Sequence, residues 1–257
     1  AVEIIHSAQA GRRFQGIEAS ARVADWPAIV AQKQALVDEL RRTKYEAVLP
    51  NYPAIKYIEG QAVFQSDGSL LVGGQTVFAE KVIIATGSRQ FVPDIPGLSG
   101  VNWLDSTSAL QLSALPDSLM IMGGGYIGVE IAQVFARIGC KVTMLTRHGL
   151  LPDAEPEVSA ALTEAFETEG ISVLAGLSYQ NVAESDGHVT ITAEQKGNPI
   201  EISAARLMLA TGRVPNSEAL ALDAVGIKTN AGGGIIVNSK MQTSRAGVYA
   251  AGDVTGR

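Results

Sequence analysis

The segment at residues 119–128, LMIMGGGYIG, constrains this chain more than any other. Its apolar half reads as a buried strand. The strand breaks at three glycines, and an amphipathic pattern follows in which Ile127, Ile131, Phe135 and Ile138 recur at helical spacing, closed by Gly139. Gly123, Gly125 and Gly128 fit G-x-G-x-x-G. The first glycine permits a tight turn after the strand. The second lets backbone approach a pyrophosphate, and the third lets helix and strand pack closely. The helix N-terminus that results attracts negative charge. A second strand pattern, CKVTMLT at residues 140–146, lies directly behind. A glycine turn between a strand and a helix, with another strand after it, points to a dinucleotide.

The neighbouring sequence extends this unit. Residues 156–169 read as a second helix and 171–175 as a third strand, which gives the βαβαβ order of a mononucleotide-binding half. Alternating stretches at 178–183, 188–193 and 199–202 predict an antiparallel meander, and 206–210 a further buried strand. Upstream, residues 1–10 read as the middle of a helix and 25–48 as a long one. Asp25 is placed to cap the long helix, Pro27 suits its first turn, and Ile29, Leu36, Leu40 and Ala47 form its apolar stripe. Short strands are predicted at 55–59, 62–65, 69–72, 75–78 and 81–85, and another at 234–237. Ser106 or Thr107 is placed to cap a short helix. A strand ending in Ala-Thr-Gly follows a meander twice, ATGS at residues 85–88 and ATGR at 210–213. That repetition implies two similar nucleotide-binding units.

Composition excludes several other classes. Apolar residues make up 46% and charged residues 18%, with a net charge of −6, a poor match to a general nucleic-acid binder. No apolar run reaches the roughly 20 residues that a membrane-spanning helix needs, and no leader pattern is visible, so a cytoplasmic location is expected. A single cysteine, Cys140, rules out an internal disulfide or a cysteine-rich metal site. Its place between helix and strand suits a buried, inert thiol, and no metal site is expected. The chain opens in mid-helix without Met or an N-cap and stops just after a strand-like run. It is therefore expected to be a fragment of a longer protein.

Four motifs in order, ATGSRQFVPDIPG, GGGYIGVE, ATGRVPN and YAAGD, resemble the flavin-dependent pyridine nucleotide–disulfide oxidoreductases. The segments QALVDELRRTKYEAVL, IEGQAVF, LDSTSALQLSALPDSL and EALALDAVGIKTN resemble the mercuric reductase branch. Dihydrolipoamide dehydrogenases and glutathione reductases share the motifs but are less similar in those segments. The resemblance implies an α/β fold of Rossmann-like FAD- and NAD(P)-binding three-layer ββα domains. A truncated flavin domain would take residues 1–112 and 246–257, with the nicotinamide-nucleotide domain inserted at 113–245. Gly123, Gly125, Tyr126, Ile127, Gly128, Glu130, Gly212 and Arg213 would line the nicotinamide nucleotide, Tyr126 as a gate over the flavin face and Glu130 near the carboxamide. Ala62, Thr86, Gly87, Ser88, Gly252 and Asp253 would hold FAD, Ala62 through its backbone at the adenine end and Asp253 at the ribityl chain. Read from the residues alone, the plainer alternatives stay open: Asp253 as a helix cap, Tyr126 as a packed aromatic and Glu130 as a solvated helix residue.

The resemblance also implies a relay from nicotinamide to flavin to a cysteine pair that reduces Hg(II). That pair, the first flavin glycine motif and a C-terminal dimer domain would all lie outside these residues. No catalytic residue is therefore expected within the chain, which alone is expected to be inactive. The full protein would be a homodimer, with neither nucleic acid nor membrane as partner. A disulfide reductase such as dihydrolipoamide dehydrogenase, and a non-catalytic nucleotide-sensing module, stay open as alternatives.

The second strand decides between nucleotides. An acidic residue at its end would bind the ribose 2′-hydroxyl of NADH. Here the strand ends in Thr146, and Arg147 and His148 come next. An arginine suits the 2′-phosphate of NADPH, although the second arginine found a few residues later in glutathione reductase-like sites is replaced by Leu150, Leu151, Pro152 and Asp153. In a protein containing this segment, Arg147→Glu should raise the KM for NADPH by on the order of tenfold and lower that for NADH. An unchanged NADPH preference in steady-state kinetics would sink the assignment.

Overall fold

The computed structural model describes residues 2–11 and 14–256, so the expected helix residue Ala1 lies outside the described residues. The chain forms two compact units. One comprises Ala1–Arg41 and Val92–Gly212, the other Arg42–Phe91 and Arg213–Arg257.

The first unit is built on four parallel strands, side by side in the order Arg206–Leu209, Ser118–Met122, Lys141–Leu145, Ser172–Leu174. Successive side chains of a strand face opposite ways, and here both faces are covered. Leu119, Ile121, Val142, Met144 and Met208 enter one core, where they meet Val129, Ala132 and Phe135 of the helix Tyr126–Arg137 and Phe166 of the helix Pro156–Thr168. Met120, Met122, Leu145, Leu207 and Leu209 enter the other, against Val182, Val189, Ile191 and Ala193. Those last four belong to an antiparallel meander of Leu177–Ser185, His188–Gln195 and Asn198–Ala204. Helices, parallel sheet and meander make the expected three-layer ββα order. Burial on both faces is why these strands read as largely apolar runs. The meander's two tight turns, Asp186-Gly187 and Lys196-Gly197, both have positive φ throughout, the geometry of a two-residue hairpin loop.

The amino-terminal helices also belong to this unit. Ile5 of the helix Val2–Ala10 is buried. Trp26 opens the helix Trp26–Arg41, lies 6.0 Å from the Phe135 ring and donates its indole N–H to the Leu112 carbonyl at 2.8 Å. Asp25 caps that helix as expected, its carboxylate accepting from the Ala28 N–H at 2.9 Å.

In the second unit, Ala62–Phe64, Leu70–Val72 and Gln75–Val77 form a small antiparallel sheet turned at Gly73-Gly74. Val82–Ile84 runs parallel to Val248–Ala250, and Ser88–Gln90 pairs antiparallel with Arg213–Pro215. Phe64, Ile84, Ile235, Val248, Ala250 and Val254 form its core.

Four local expectations need correction. Residues 55–59 form no strand: Ile55 and Tyr57 are exposed, and among the described residues no strand pairs with them. Residues 234–237 make only an isolated bridge, Thr229 to Ile235. The long helix leaves α geometry at Arg41 and passes into a π turn, Arg42–Glu46, tightened by a bond from the Ala47 N–H to the Arg42 carbonyl. Its apolar stripe is not buried, with Leu36 56% and Leu40 41% exposed. Asp105, not Ser106 or Thr107, caps the short helix Ser106–Ala109, in a reciprocal capping box with Ser108. No described helix is long and apolar enough to cross a membrane.

One ion pair ties the two helices of the first unit together. Glu169, just after Thr168, accepts from Arg137 Nε at 2.8 Å and Nη2 at 2.9 Å, and from Gln133 at 2.8 Å. The Arg137 guanidinium holds the Glu169 carboxyl below its ordinary range. A depressed carboxyl contributes stability that is complete above its unfolded pKa, near 4.3, and is lost as pH falls through the lower folded value. Glu169→Gln should therefore cost about 1 kcal/mol at neutral pH, since solvent reaches the pair from one side. In urea unfolding, the gap between the two proteins should narrow as pH falls below the ordinary carboxyl range; a gap of constant size would overturn this account.

Candidate nucleotide-binding site

The glycine turn assigns a separate task to each glycine. Gly123 has φ of +120°, and a Cβ there would lie 2.1 Å from the Ala210 carbonyl oxygen. A Cβ on Gly128 would lie 2.5 Å from the Gly123 carbonyl oxygen, so the helix Tyr126–Arg137 packs on the strands only because residue 128 has no side chain. Gly124, which the pattern leaves unassigned, is equally tight: its Cβ would meet the Gly149 carbonyl oxygen at 2.3 Å. Gly125 differs, since its Cβ would meet nothing within 4 Å and its φ of −77° suits any residue. The open side of the turn is therefore at Gly125, which is also the N-cap of the helix and lacks a side-chain cap. The first N–H groups of the helix are left without a side-chain acceptor, as an anion site requires. Tyr126 is 68% exposed, Glu130 is exposed, and Ile127 packs on the helix-side core.

The second strand leads into a turn locked by Thr146, whose hydroxyl accepts from the Gly149 N–H at 2.7 Å. Arg147 and His148 are both exposed there. They line a cleft of about 430 Å³ together with Asp94, Ile95, Gly176, Leu177, Ser178 and Tyr179. Gly212, at the end of the strand Arg206–Leu209, has φ of +114° with open space where a Cβ would be.

In the second unit, Ser88, Arg213 and Asp253 form one network. The Ser88 hydroxyl donates to Asp253 Oδ2 at 2.7 Å. Arg213 donates from Nε to Ser88 Oγ and from Nη2 to the Ser88 carbonyl, both at 2.6 Å, and its Nε lies 3.7 Å from Asp253 Oδ2. Asp253 lies inside the short turn Gly252–Thr255, whose N-cap is Ala251, so it is not a capping residue. Gly87 and Gly252 both have positive φ. Thr86 and Ala62 line a second cleft, of about 770 Å³, with Arg89, Asn216 and Glu218. Two of these residues escaped the sequence reading. Asn216 exchanges hydrogen bonds with Thr86, accepting at its carbonyl and donating from its side-chain amide. Arg89 pairs with Glu218 at 2.9 Å. Asn216 follows the second Ala-Thr-Gly by a few residues, and that repetition was the one signal that could have drawn attention to it.

Cys140 is buried, and burial pushes its thiol up to about 12, with the Asp117 carboxylate adding to the effect. It stays protonated at neutral pH and is no nucleophile. Among the described residues, no three His, Cys, Asp or Glu side chains gather as a metal site.

The family model of the pyridine nucleotide-disulphide oxidoreductases matches residues 4–257. The chain belongs to this family. Among curated relatives, it is 37% identical over 243 residues to a mercuric reductase of Staphylococcus aureus, covering 94% of this chain and 44% of that protein. It is 40% identical over 249 residues to a mercuric reductase of Shigella flexneri, with coverage of 93% and 43%. The chain thus spans about half the length, or less, of the relatives it matches. A solved copper(II) complex of the HOCl-induced flavoprotein disulfide reductase RclA from Escherichia coli superposes with a TM-score of 0.85 at 30% identity, over 99% of this chain and 55% of that one.

Within this oxidoreductase fold, the glycine turn fits a pyrophosphate on its own geometry, with open backbone at Gly125 before an uncapped helix. Gly123→Ala should lower stability by about 2 kcal/mol or more, because strain and a backbone clash add. Gly125→Ala should cost no more than about 1 kcal/mol, yet weaken nucleotide binding sharply. Thermal melts paired with NADPH titration separate the two. Equal destabilisation, or full affinity in Gly125→Ala, would refute the division of roles.

Proposed function

We propose that this chain is the nucleotide-binding core of an NADPH-dependent, FAD-containing oxidoreductase whose full-length form reduces Hg(II) to Hg(0). The observation that carries the nucleotide assignment is the open, uncapped turn at Gly125, followed by a second strand that ends in Arg147 rather than a carboxylate. The choice of Hg(II) rests on the mercuric reductases, at 37% and 40% identity across nearly the whole of this chain.

In this reading, residues 113–245 serve the nicotinamide nucleotide, and residues 1–112 with 246–257 serve the flavin. The N–H groups beside Gly125 bind the pyrophosphate. Arg147, with His148 beside it, takes the 2′-phosphate. Tyr126, Glu130 and Gly212 face the nicotinamide half. Ala62, Thr86, Gly87, Ser88 and Gly252 line the flavin, and Asp253 accepts from a ribityl hydroxyl once Arg213 and Ser88 release it. When bound, the nicotinamide would supply a hydride and the flavin would carry its electrons to a cysteine pair. The one thiol here, Cys140, is buried and protonated, so that pair belongs to another part of the full protein. The chain alone then binds nucleotide without reducing metal. The full protein is proposed to be a cytoplasmic homodimer.

A second reading, an FAD-dependent disulfide reductase, is favoured by the superposition on the Escherichia coli flavoprotein disulfide reductase. Measuring NADPH oxidation by the longer protein, with Hg(II) or with oxidised glutathione and lipoamide, separates the two. Turnover with Hg(II) alone is the expected result. Turnover only with disulfides would replace the first reading by the second. Hg(II)-dependent oxidation by these 257 residues alone would refute the placement of the redox pair.

A further inference from the structure

The sequence offers Arg147 no second arginine nearby, so the 2′-phosphate site rests on one exposed arginine. The structure supplies something else. The Arg147 guanidinium carbon lies 6.0 Å from the centroid of the Tyr179 ring, on the face of that ring. Tyr179 stands on the meander strand Leu177–Ser185, and its ring packs against the meander-side core. Burial pushes its phenol up, so it stays neutral throughout the physiological range.

We propose that Tyr179 is a positioning residue for the nicotinamide nucleotide: its ring braces the Arg147 guanidinium in the orientation that receives the 2′-phosphate. The proposal rests on the NADPH reading above and deepens it. A guanidinium over an aromatic face is held by the negative potential of the ring. Its N–H donors form a planar fork that suits phosphate oxygens. Arg147 has no ion pair within 4.0 Å among the described residues, although Asp94 lines the same cleft. The ring is therefore the contact that fixes its direction. Ser178, the preceding residue, also lines the cleft and adds a hydroxyl. The meander would thus do more than cover the sheet, since it also presents the brace.

The test uses the 257-residue chain and two nucleotides without a nicotinamide, 2′,5′-ADP and 5′-AMP, titrated by calorimetry. Removing the ring with Tyr179→Leu should weaken 2′,5′-ADP by about two- to fivefold, the range of an exposed cation–π contact, and leave 5′-AMP unchanged. Tyr179→Phe keeps the ring and should restore the original affinity. An equal loss for both ligands would reduce Tyr179 to a packing residue and overturn the proposal. So would a preference for 2′,5′-ADP that survives Tyr179→Leu, with the NADPH reading left standing. If the unsubstituted chain does not favour 2′,5′-ADP over 5′-AMP, both the NADPH reading and this inference fall together.

Discussion

The close approach of helix and sheet at Gly128 is the constraint on which the rest of the first unit depends. A Cβ there would meet the Gly123 carbonyl, and one on Gly123 would meet the Ala210 carbonyl. The turn at Gly123, the first turn of the helix at Gly128 and the distant backbone at Ala210 therefore approach closely at one corner. That contact brings the helix N-terminus to the end of the strand Ser118–Met122 and leaves Gly125 as the open point. Burial of Ala132 and Phe135 then follows, because a helix held this near must set its apolar face into the sheet. A side chain at residue 128 would disturb packing and the geometry of the glycine turn together.

The parallel sheet was legible in the sequence for a physical reason. Its strands are covered on both faces and carry few polar residues in mid-strand, Thr143 being one, so they stand out as largely apolar runs. The hairpins were legible because tight turns need residues that tolerate positive φ. Local patterns failed where they lacked a partner. Residues 55–59 have the look of a strand, and Leu36 and Leu40 that of a buried stripe, but pairing and burial need a second surface that local spacing does not report. The links within each site were hidden for a related reason. The bond from Thr86 to Asn216 joins residues 130 positions apart. The contact between Arg147 and Tyr179 joins a strand end to a different sheet. Neither leaves a trace in periodicity.

The network of Ser88, Arg213 and Asp253 has an electrostatic meaning. An exposed carboxylate that already accepts from a hydroxyl and faces a guanidinium has a defined orientation. An incoming hydroxyl group would exchange with partners of similar strength, so selectivity at this point would come from geometry rather than from net charge. The Ser88–Gln90 and Arg213–Pro215 ladder, which follows the two Ala-Thr-Gly turns, holds those partners in register.

The meander carries a consequence for the order of events during folding. Its strands are joined by two-residue turns, so closing them costs little chain entropy and takes on the order of microseconds. The pairing of the sheet's edge strand, Arg206–Leu209, with Ser118–Met122 is different: Ser118 and Ala205, where it begins, are 87 positions apart. Contacts of such long separation are slow to nucleate. The hairpins would therefore stand first, and their apolar face would offer Met120, Met122 and Leu207 a surface to condense on. The layer that lies farthest from the glycine turn is then the template on which the sheet beneath that turn is assembled.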